Sequence, residues 1–333
     1  MHPPVPLLTF TRPTADAMAD VMMRRSFLSP ASPIAAPRFA FINIDDATWV
    51  AWGAPLITPR NKIAALLARV AESKPAVIIL DVDLAFRDEV NSENILKSFL
   101  SSYPAEAAPL VLVRSFEPAS NASHSELRPT QFEPLTQQAN VYWALPSFER
   151  DEDGVVRRWQ LAAGTCDATA PVTVPSVQLQ SAWLWLGKSR ELLHTSLARL
   201  RPENCDVPAP DVHVKIDLFS DGHAIEINGN DPSSRIIYSI PWVPNAMIQG
   251  QLMPDGNFKV VVRNADTVSR IQPGNGIPGI AGTIAIIGGS FHDSGDWYRT
   301  PLGQMPGALV LINSIDALAQ HGTPKAPALE KQL

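Results

Sequence analysis

At 333 residues, with 45% hydrophobic and 18% charged side chains, the chain is long enough for one large domain or two modest ones and has ordinary globular composition. A net charge of −6, with basic residues paired at Arg24-Arg25 and Arg157-Arg158 but never in a run, excludes nucleic acid as the main partner. Two cysteines, Cys166 and Cys205, exclude a zinc framework or a CxxC redox motif and leave either one disulfide or two unrelated thiols.

In chain order, the Pro-rich start leads to an amphipathic helix expected from Thr14 to about Phe27, with Met18, Val21, Met22 and Phe27 on one face and Asp16, Asp20 and Arg24 on the other. Phe39 to Asp46 reads as a buried strand that ends in two carboxylates. Thr58-Pro59 predicts a helix start, with Thr58 as N-cap and an apolar stripe of Ile63, Leu66, Leu67 and Val70. AVIILDVDLAF is a second buried strand, ending at Asp81 and Asp83. Strand, helix and strand of this kind make a parallel βαβ crossover. A third unit follows, a helix over Ser92–Leu100 and the strand PLVLVRSF, and then a polar excursion from Glu117 to Pro134.

VYWAL and VVRRWQL flank Asp151-Glu152-Asp153-Gly154, and the Asp-Gly step predicts an antiparallel hairpin between them. Pro175 opens a buried helix, VQLQSAWLWLG, and Ser189 to Leu200 a second, amphipathic one. From Arg201 to Asn257 prolines and glycines break the chain around two alternating strands, VHVKIDLF and HAIEIN, an inserted antiparallel subregion. Phe258–Arg263 is a strand, Asn264–Ile271 a short helix, Gly282–Gly288 the last core strand and Gly307–His321 the closing helix. The expected fold is α/β, a mixed, largely parallel central sheet with flanking helices and that antiparallel insertion. No apolar run approaches the roughly 18 residues needed to span a bilayer.

Four pieces in this order resemble the CHASE2 domain over Phe39 to Gly322: the first strand with its IDDATW continuation, TPR followed by KPAVIILDVDLAF, DEDGVVRRWQL, and GTIAIIGGSFHDSGDWYRTPLGQMPGALVLINSIDAL. The resemblance implies a periplasmic, extracytoplasmic sensory domain of a bacterial membrane receptor, non-catalytic itself, answering an unknown small-molecule or physical stimulus. Transmembrane helices would flank it, and a homodimer is among the expected partners. It divides the chain into a juxtamembrane-like segment at 1–37, the sensory domain at 38–322 and a tail at 323–333. The chain carries neither flanking membrane segment, so it is an excised sensor domain or a soluble relative; the N-terminal helix with Met22 and Met23, which looks like a juxtamembrane remnant, favours excision.

The candidate ligand residues are the strand-end carboxylates Asp45, Asp81 and Asp83, the loop residues His292, Asp293 and Asp296, and Arg157, assigned as the ion-pair partner while Arg158 faces water. Carboxylates so placed can hold a divalent cation or work as an acid/base pair. The plainer alternative is that they cap helices and tie loops. No catalytic residue, metal or cofactor is assigned. The DVD of Asp81-Val82-Asp83 lacks the hydroxyl residue of phosphoaspartate hydrolases, with Ala at 85. Gly288-Gly289-Ser290-Phe291-His292 has a bulky residue where a nucleophile elbow needs a small one, and the GxGxxG from Gly274 precedes its strand. A metal-dependent or acid/base hydrolase and a dimerising scaffold without ligand are the other functions weighed; the hydrolase needs Asp45, Asp81 and Asp293 in one open cleft, the scaffold a large apolar patch.

Overall fold

The computed structural model describes Asp16, Asp20 and residues 36–118, 125–137, 140–218, 224–228, 234–253 and 256–323. Of the N-terminal helix expected over Thr14–Phe27, only Asp16 and Asp20 fall within the described residues, and both are helical.

Strand β1 (Phe39–Ile44) is buried along its whole length and gives way to a short helix α1 (Asp46–Ala51). Helix α2 (Arg60–Glu72) follows, with Ile63, Leu66, Leu67 and Val70 fully buried at the spacing of a single helix face. Its start is one residue later than the sequence suggests. Pro59 is the capping residue, and the Arg60 backbone N–H donates to the Asp88 carboxylate at 2.8 Å, so a residue distant in sequence replaces Thr58 as the cap. Then come β2 (Val77–Asp81), α3 (Val90–Ser101), β3 (Leu110–Val113), β4 (Phe116–Pro118), β5 (Ser125–Leu127) and β6 (Val141–Ala144).

The expected hairpin exists with different arms. β7 (Phe148–Arg150) pairs with β8 (Val156–Trp159), whereas VYWAL forms β6, which lies parallel to β3. The turn chemistry identified the reversal; the burial of both faces of VYWA is met by the main sheet instead. β9 (Ala162–Asp167) and β10 (Ala170–Pro175) form a second hairpin, followed by α4 (Val177–Trp185), α5 (Arg190–Leu197), and the antiparallel pair β11 (His213–Asp217) and β12 (Ala224–Asn228). The chain closes with β13 (Ile248–Leu252), β14 (Phe258–Asn264), α6 (Ala265–Ser269), β15 (Ile284–Gly289), the small hairpin β16 (Trp297–Thr300) and β17 (Gly303–Pro306), and α7 (Gly307–His321).

The main sheet has seven strands in the order β13-β14-β1-β15-β2-β3-β6, every neighbouring pair parallel except β13 with β14. β1 and β2 are therefore not adjacent. The last strand enters between them, pairing Phe39 with Ile284 on one side and Val77 with Ile284 on the other. Alternate residues serve opposite layers: Ala40, Ile42, Ile78 and Leu80 pack with α2, α3 and α6, while Phe39, Phe41, Val77 and Ile79 pack with α4 and α7. Both faces are thus covered, which is why the strands read as unbroken apolar runs.

Helix α7 is apolar nearly all round because both its sides are covered. Its outer side meets the 234–253 segment, where Asn313 accepts from the backbone N–H groups of Ser239 (3.0 Å) and Ile240 (2.9 Å) and donates back to the Ile240 carbonyl at 2.9 Å. Cys166 on β9 is disulfide-bonded to Cys205, across a sequence separation of 39. Among the described residues no helix is long and apolar enough to cross a membrane.

Candidate functional site

A cleft of about 360 Å³ opens at the C-terminal ends of β1, β15, β2 and β3, where Ile44, Gly289, Asp81 and Val113 line it. In a parallel sheet this edge is where ligands bind, because strand ends and loops leave a crevice there. Two of the expected residues meet in it across most of the chain. Asp81 ends β2, and Asp296 stands just before β16 at the start of α7.

Glycine makes that approach feasible at two points. A Cβ at Gly307 would lie 2.3 Å from an Asp296 carboxylate oxygen, and one at Gly288 would lie 2.9 Å from the Ala308 Cβ and 3.4 Å from Asp81 Oδ2. Only the absence of a side chain lets helix α7 and β15 close on the two carboxyls. The Asp81 Oδ2 atom is shut off from solvent and has no hydrogen-bond partner among the described residues. Burial pushes the Asp81 carboxyl well above the usual range and the neighbouring Asp296 raises it further. Burial also raises Asp296, although the Tyr298 hydroxyl, the Gly307 N–H and Arg150 oppose the shift. Two carboxyls so placed cannot both ionise cheaply, so the charge on one disfavours the charge on the other.

Asp83 also lines the cleft, with its own partners. One oxygen accepts from the Ala85 N–H at 2.8 Å, and the other takes Arg128 and the Ser115 hydroxyl, each at 3.4 Å. The loop behind it is held by Arg60, a fully buried side chain that donates to the carbonyls of Asp83 (2.9 Å) and Phe86 (2.8 Å). That explains the arginine of the TPR motif.

The remaining acidic candidates do other work. Asp45 is the N-cap of α1, accepting from the Thr48 N–H (2.8 Å) and hydroxyl (2.7 Å), and it accepts from Asn264 with both oxygens at 2.8 Å. It stitches the end of β1 to the end of β14. His292 and Asp293 are exposed and outside the cleft lining; the His292 backbone N–H donates to Asp46 at 2.7 Å. The trio Asp45, Asp81 and Asp293 therefore does not converge, because the loop after β15 turns Asp296 inward in place of Asp293. Among the described residues no group of three or more His, Cys, Asp or Glu is arranged to hold a metal ion.

Arg157 belongs to a second cluster. Its guanidinium donates to Asp20 at 2.8 and 3.0 Å, to Asp151 at 2.9 Å and to Asp153 at 2.8 Å. Arg158 is also buried, contrary to the expectation that it faces water. It donates to both oxygens of Asp16 at 2.9 Å and to Asp151. Arg235 completes the set by reaching Asp16 and, at 2.9 Å, Asp20. Strand alternation does not carry Arg158 to water here because Asp16 and Arg235 lie against it, Arg235 as its bridge partner. Burial by itself would lower the Arg157 guanidinium, but Asp153, Asp20 and Asp151 override it and hold it above its ordinary value. The hydrogen bonds from Arg157 depress the Asp153 carboxyl to about 2.

This clasp was only half visible beforehand. The spacing of Asp16 and Asp20, i to i+4 on one helix face, was a usable signal; Arg235, in the stretch DPSSR, carried none. The β7–β8 hairpin that holds Arg157 and Arg158 also touches the cleft, since the Phe148 and Tyr298 rings meet edge-on at 6.3 Å and the Arg150 guanidinium lies 5.2 Å from the Tyr298 ring centre.

Chemically, neighbouring carboxyls whose ionisation is disfavoured can take up or release a proton when a molecule binds beside them. Among the described residues that line the cleft the acidic side chains are Asp81, Asp83 and Asp296, and Arg128 reaches Asp83 from beside it. No curated protein and no solved structure matches the chain. A family model for the CHASE2 domain matches residues 5–331, which include the Arg60 tie, the arginine hairpin and the cleft loop. The chain therefore belongs to the CHASE2 family, a family of extracytoplasmic sensory domains.

Proposed function

We propose that this chain is the periplasmic input domain of a bacterial membrane receptor, non-catalytic itself, in which occupancy of the sheet-edge cleft alters how the N-terminal segment is held. One observation carries the reading: the β7–β8 hairpin contacts Tyr298 at the cleft through Phe148 and Arg150, and holds Asp16 and Asp20 through Arg157 and Arg158. A change of packing at Tyr298 has a short mechanical route to the segment that, in a receptor, would lead toward the membrane. Such a route is physical only if both ends bias the same element.

Replacing Tyr298 with Ala tests it. Hydrogen exchange in peptides spanning Asp16 and Asp20 is expected to speed up in this variant although neither residue touches Tyr298. Unchanged exchange there, with the cleft visibly altered, would remove the coupling. The homodimer expectation finds support in the exposed Ile248 and Leu252 of the edge strand β13 and in Phe258, which pairs with Leu252 from β14, and sedimentation of the chain as a monomer at all concentrations would discard it.

A further inference from the structure

We infer that the buried guanidiniums of Arg157, Arg158 and Arg235 form a binding site for a small dicarboxylate, a site that the chain's own Asp16 and Asp20 fill in this structure. The site is built by the body of the domain. Arg158 on β8 lies opposite Arg235 in an isolated antiparallel bridge, and the Ile236 N–H donates to the Arg157 carbonyl at 2.8 Å. Like charges facing each other across two strands are unfavourable unless an anion lies between them. The hairpin turn supplies part of that charge, since Asp151 reaches Arg157 and Arg158 while Asp153 reaches Arg157. It supplies none to Arg235. That side chain is buried, and among the described residues its only ion-pair partners are Asp16 and Asp20, the former 219 residues earlier in the chain. A buried guanidinium whose charge is balanced only from the far end of the chain is built to receive an anion from elsewhere.

The donors are arranged for two planar groups. Asp20 accepts from Nε and Nη2 of Arg157 at 3.0 and 2.8 Å, the fork that matches a carboxylate. Asp16 accepts from Nη2 of Arg158 with both oxygens at 2.9 Å. Arg235 joins the two seats, giving Nη1 to Asp16 and Nη2 to Asp20. Helix residues four apart stand on one face with Cβ atoms about 5–6 Å apart, so a short dicarboxylate carries the same two groups at a comparable spacing. A monocarboxylate or a compact phosphate fills one seat and leaves a buried guanidinium unpaired. The Tyr238 hydroxyl, buried with Arg157 and Asp20 as its charged neighbours, has no hydrogen-bond partner among the described residues and is a further donor for the incoming oxygens. A cavity of about 480 Å³ reaches Asp16 and Arg157 from the hairpin side, so solvent meets the edge of the site. The acidic residues on its rim, Glu149 and Glu152, are exposed and therefore screened by salt. On binding, the dianion replaces two carboxylates, the charge of the cluster is unchanged, and no covalent bond is made or broken.

The inference depends on the sensory reading only for calling the dicarboxylate a stimulus. Calorimetric titration of the intact 333-residue chain at matched ionic strength tests it, with disodium succinate, sodium phosphate and sodium butyrate as probes. Tethered carboxylates compete at an effective concentration on the order of millimolar, so the parent binds succinate weakly. The double variant Asp16→Ala, Asp20→Ala is expected to bind one succinate about tenfold or more tightly than the parent, and adding Arg235→Gln to remove that gain. In the parent, succinate at about 100 mM, well above the effective concentration, is expected to speed hydrogen exchange in peptides spanning Asp16 and Asp20, with sodium chloride of equal ionic strength as the control. Equal succinate affinity in parent and double variant, phosphate or butyrate binding the double variant as tightly as succinate, or unchanged exchange in the parent would overturn it. Should the double variant fail to fold, the exchange measurement on the parent still decides. The two ideas fail separately: exchange that is unmoved by Tyr298→Ala but speeded by succinate removes the coupling to the cleft and leaves this site, whereas a Tyr298→Ala effect without succinate binding does the reverse.

Discussion

The clasp makes a quantitative prediction about an order of stabilities. Four carboxylates, Asp16, Asp20, Asp151 and Asp153, face three guanidiniums, Arg157, Arg158 and Arg235. Arg157→Ala leaves four negative groups facing two positive ones, with Asp20 buried and deprived of its bidentate partner. Breaking a buried pair in this way costs about 3–5 kcal/mol. Asp20→Ala instead leaves three facing three, and both affected arginines keep partners: Arg157 retains Asp151 and Asp153, and Arg235 retains Asp16. Its expected cost is about 1–2 kcal/mol, that of charge-assisted hydrogen bonds lost without an orphaned charge.

Urea unfolding of the two single variants and the double variant measures this. The double variant is expected to be less destabilised than the sum, because Arg157→Ala has already removed part of what Asp20 does. Burial also makes the effect insensitive to salt over the range that screens surface pairs. Equal costs for the two single changes, a reversed order or strict additivity would refute the reasoning.

Two further predictions concern the cleft and the disulfide. Asp81 has a raised carboxyl in the folded state, so the native protein holds a proton there that the unfolded chain surrenders near the ordinary value of about 3.9. Its favourable contribution is complete below about pH 4 and is lost as the pH rises through the raised value. Asp81→Asn should thus be more stable than the parent at pH 7, with the gap closing toward pH 4. The charged and titratable groups facing this carboxyl are Asp296 and Tyr298, with Arg150 acting on both, and thermal melts across pH would expose a gap that fails to close. The Cys166–Cys205 bridge closes a separation of 39 residues, worth about 4 kcal/mol by chain entropy, so full reduction should lower the melting temperature. A melt unaffected by reduction would show that the unfolded chain gains nothing from losing it.

The βαβ start and the closing strand and helix were legible because their residues are apolar on every face, a demand that only a doubly covered parallel sheet meets. The order of strands was not. β15 lies between β1 and β2, and nothing in FAFINI or VIILD distinguishes a neighbour close in sequence from one more than 200 residues away. The β9–β10 hairpin escaped because AAGTCD and APVTVP are small or Pro-bounded residues without clear alternation. At the site, the sequence marks Asp81 and Asp296 no differently from Asp45 and His292, since strand-end position is visible in sequence whereas the inward turn of one loop carboxylate is not. Gly307, which permits that turn, reads in sequence only as a helix start.

The entry of β15 between two strands laid down at the other end of the chain has a consequence for assembly. Phe39 pairs with Ile284, and the same Ile284 pairs with Val77, so β1 and β2 stay unjoined until β15 is present, although β2 already has β3 and β1 has β14 as a second neighbour. A polypeptide ending before Gly282 can form only two separate halves, β13-β14-β1 and β2-β3-β6, and leaves the β1 and β2 edges that β15 would join unpaired. Pairings of this range are slow to form and prone to aggregate while they wait. The folding nucleus that joins both halves is therefore a late event, and fragments cut within the domain should be insoluble where the intact chain folds.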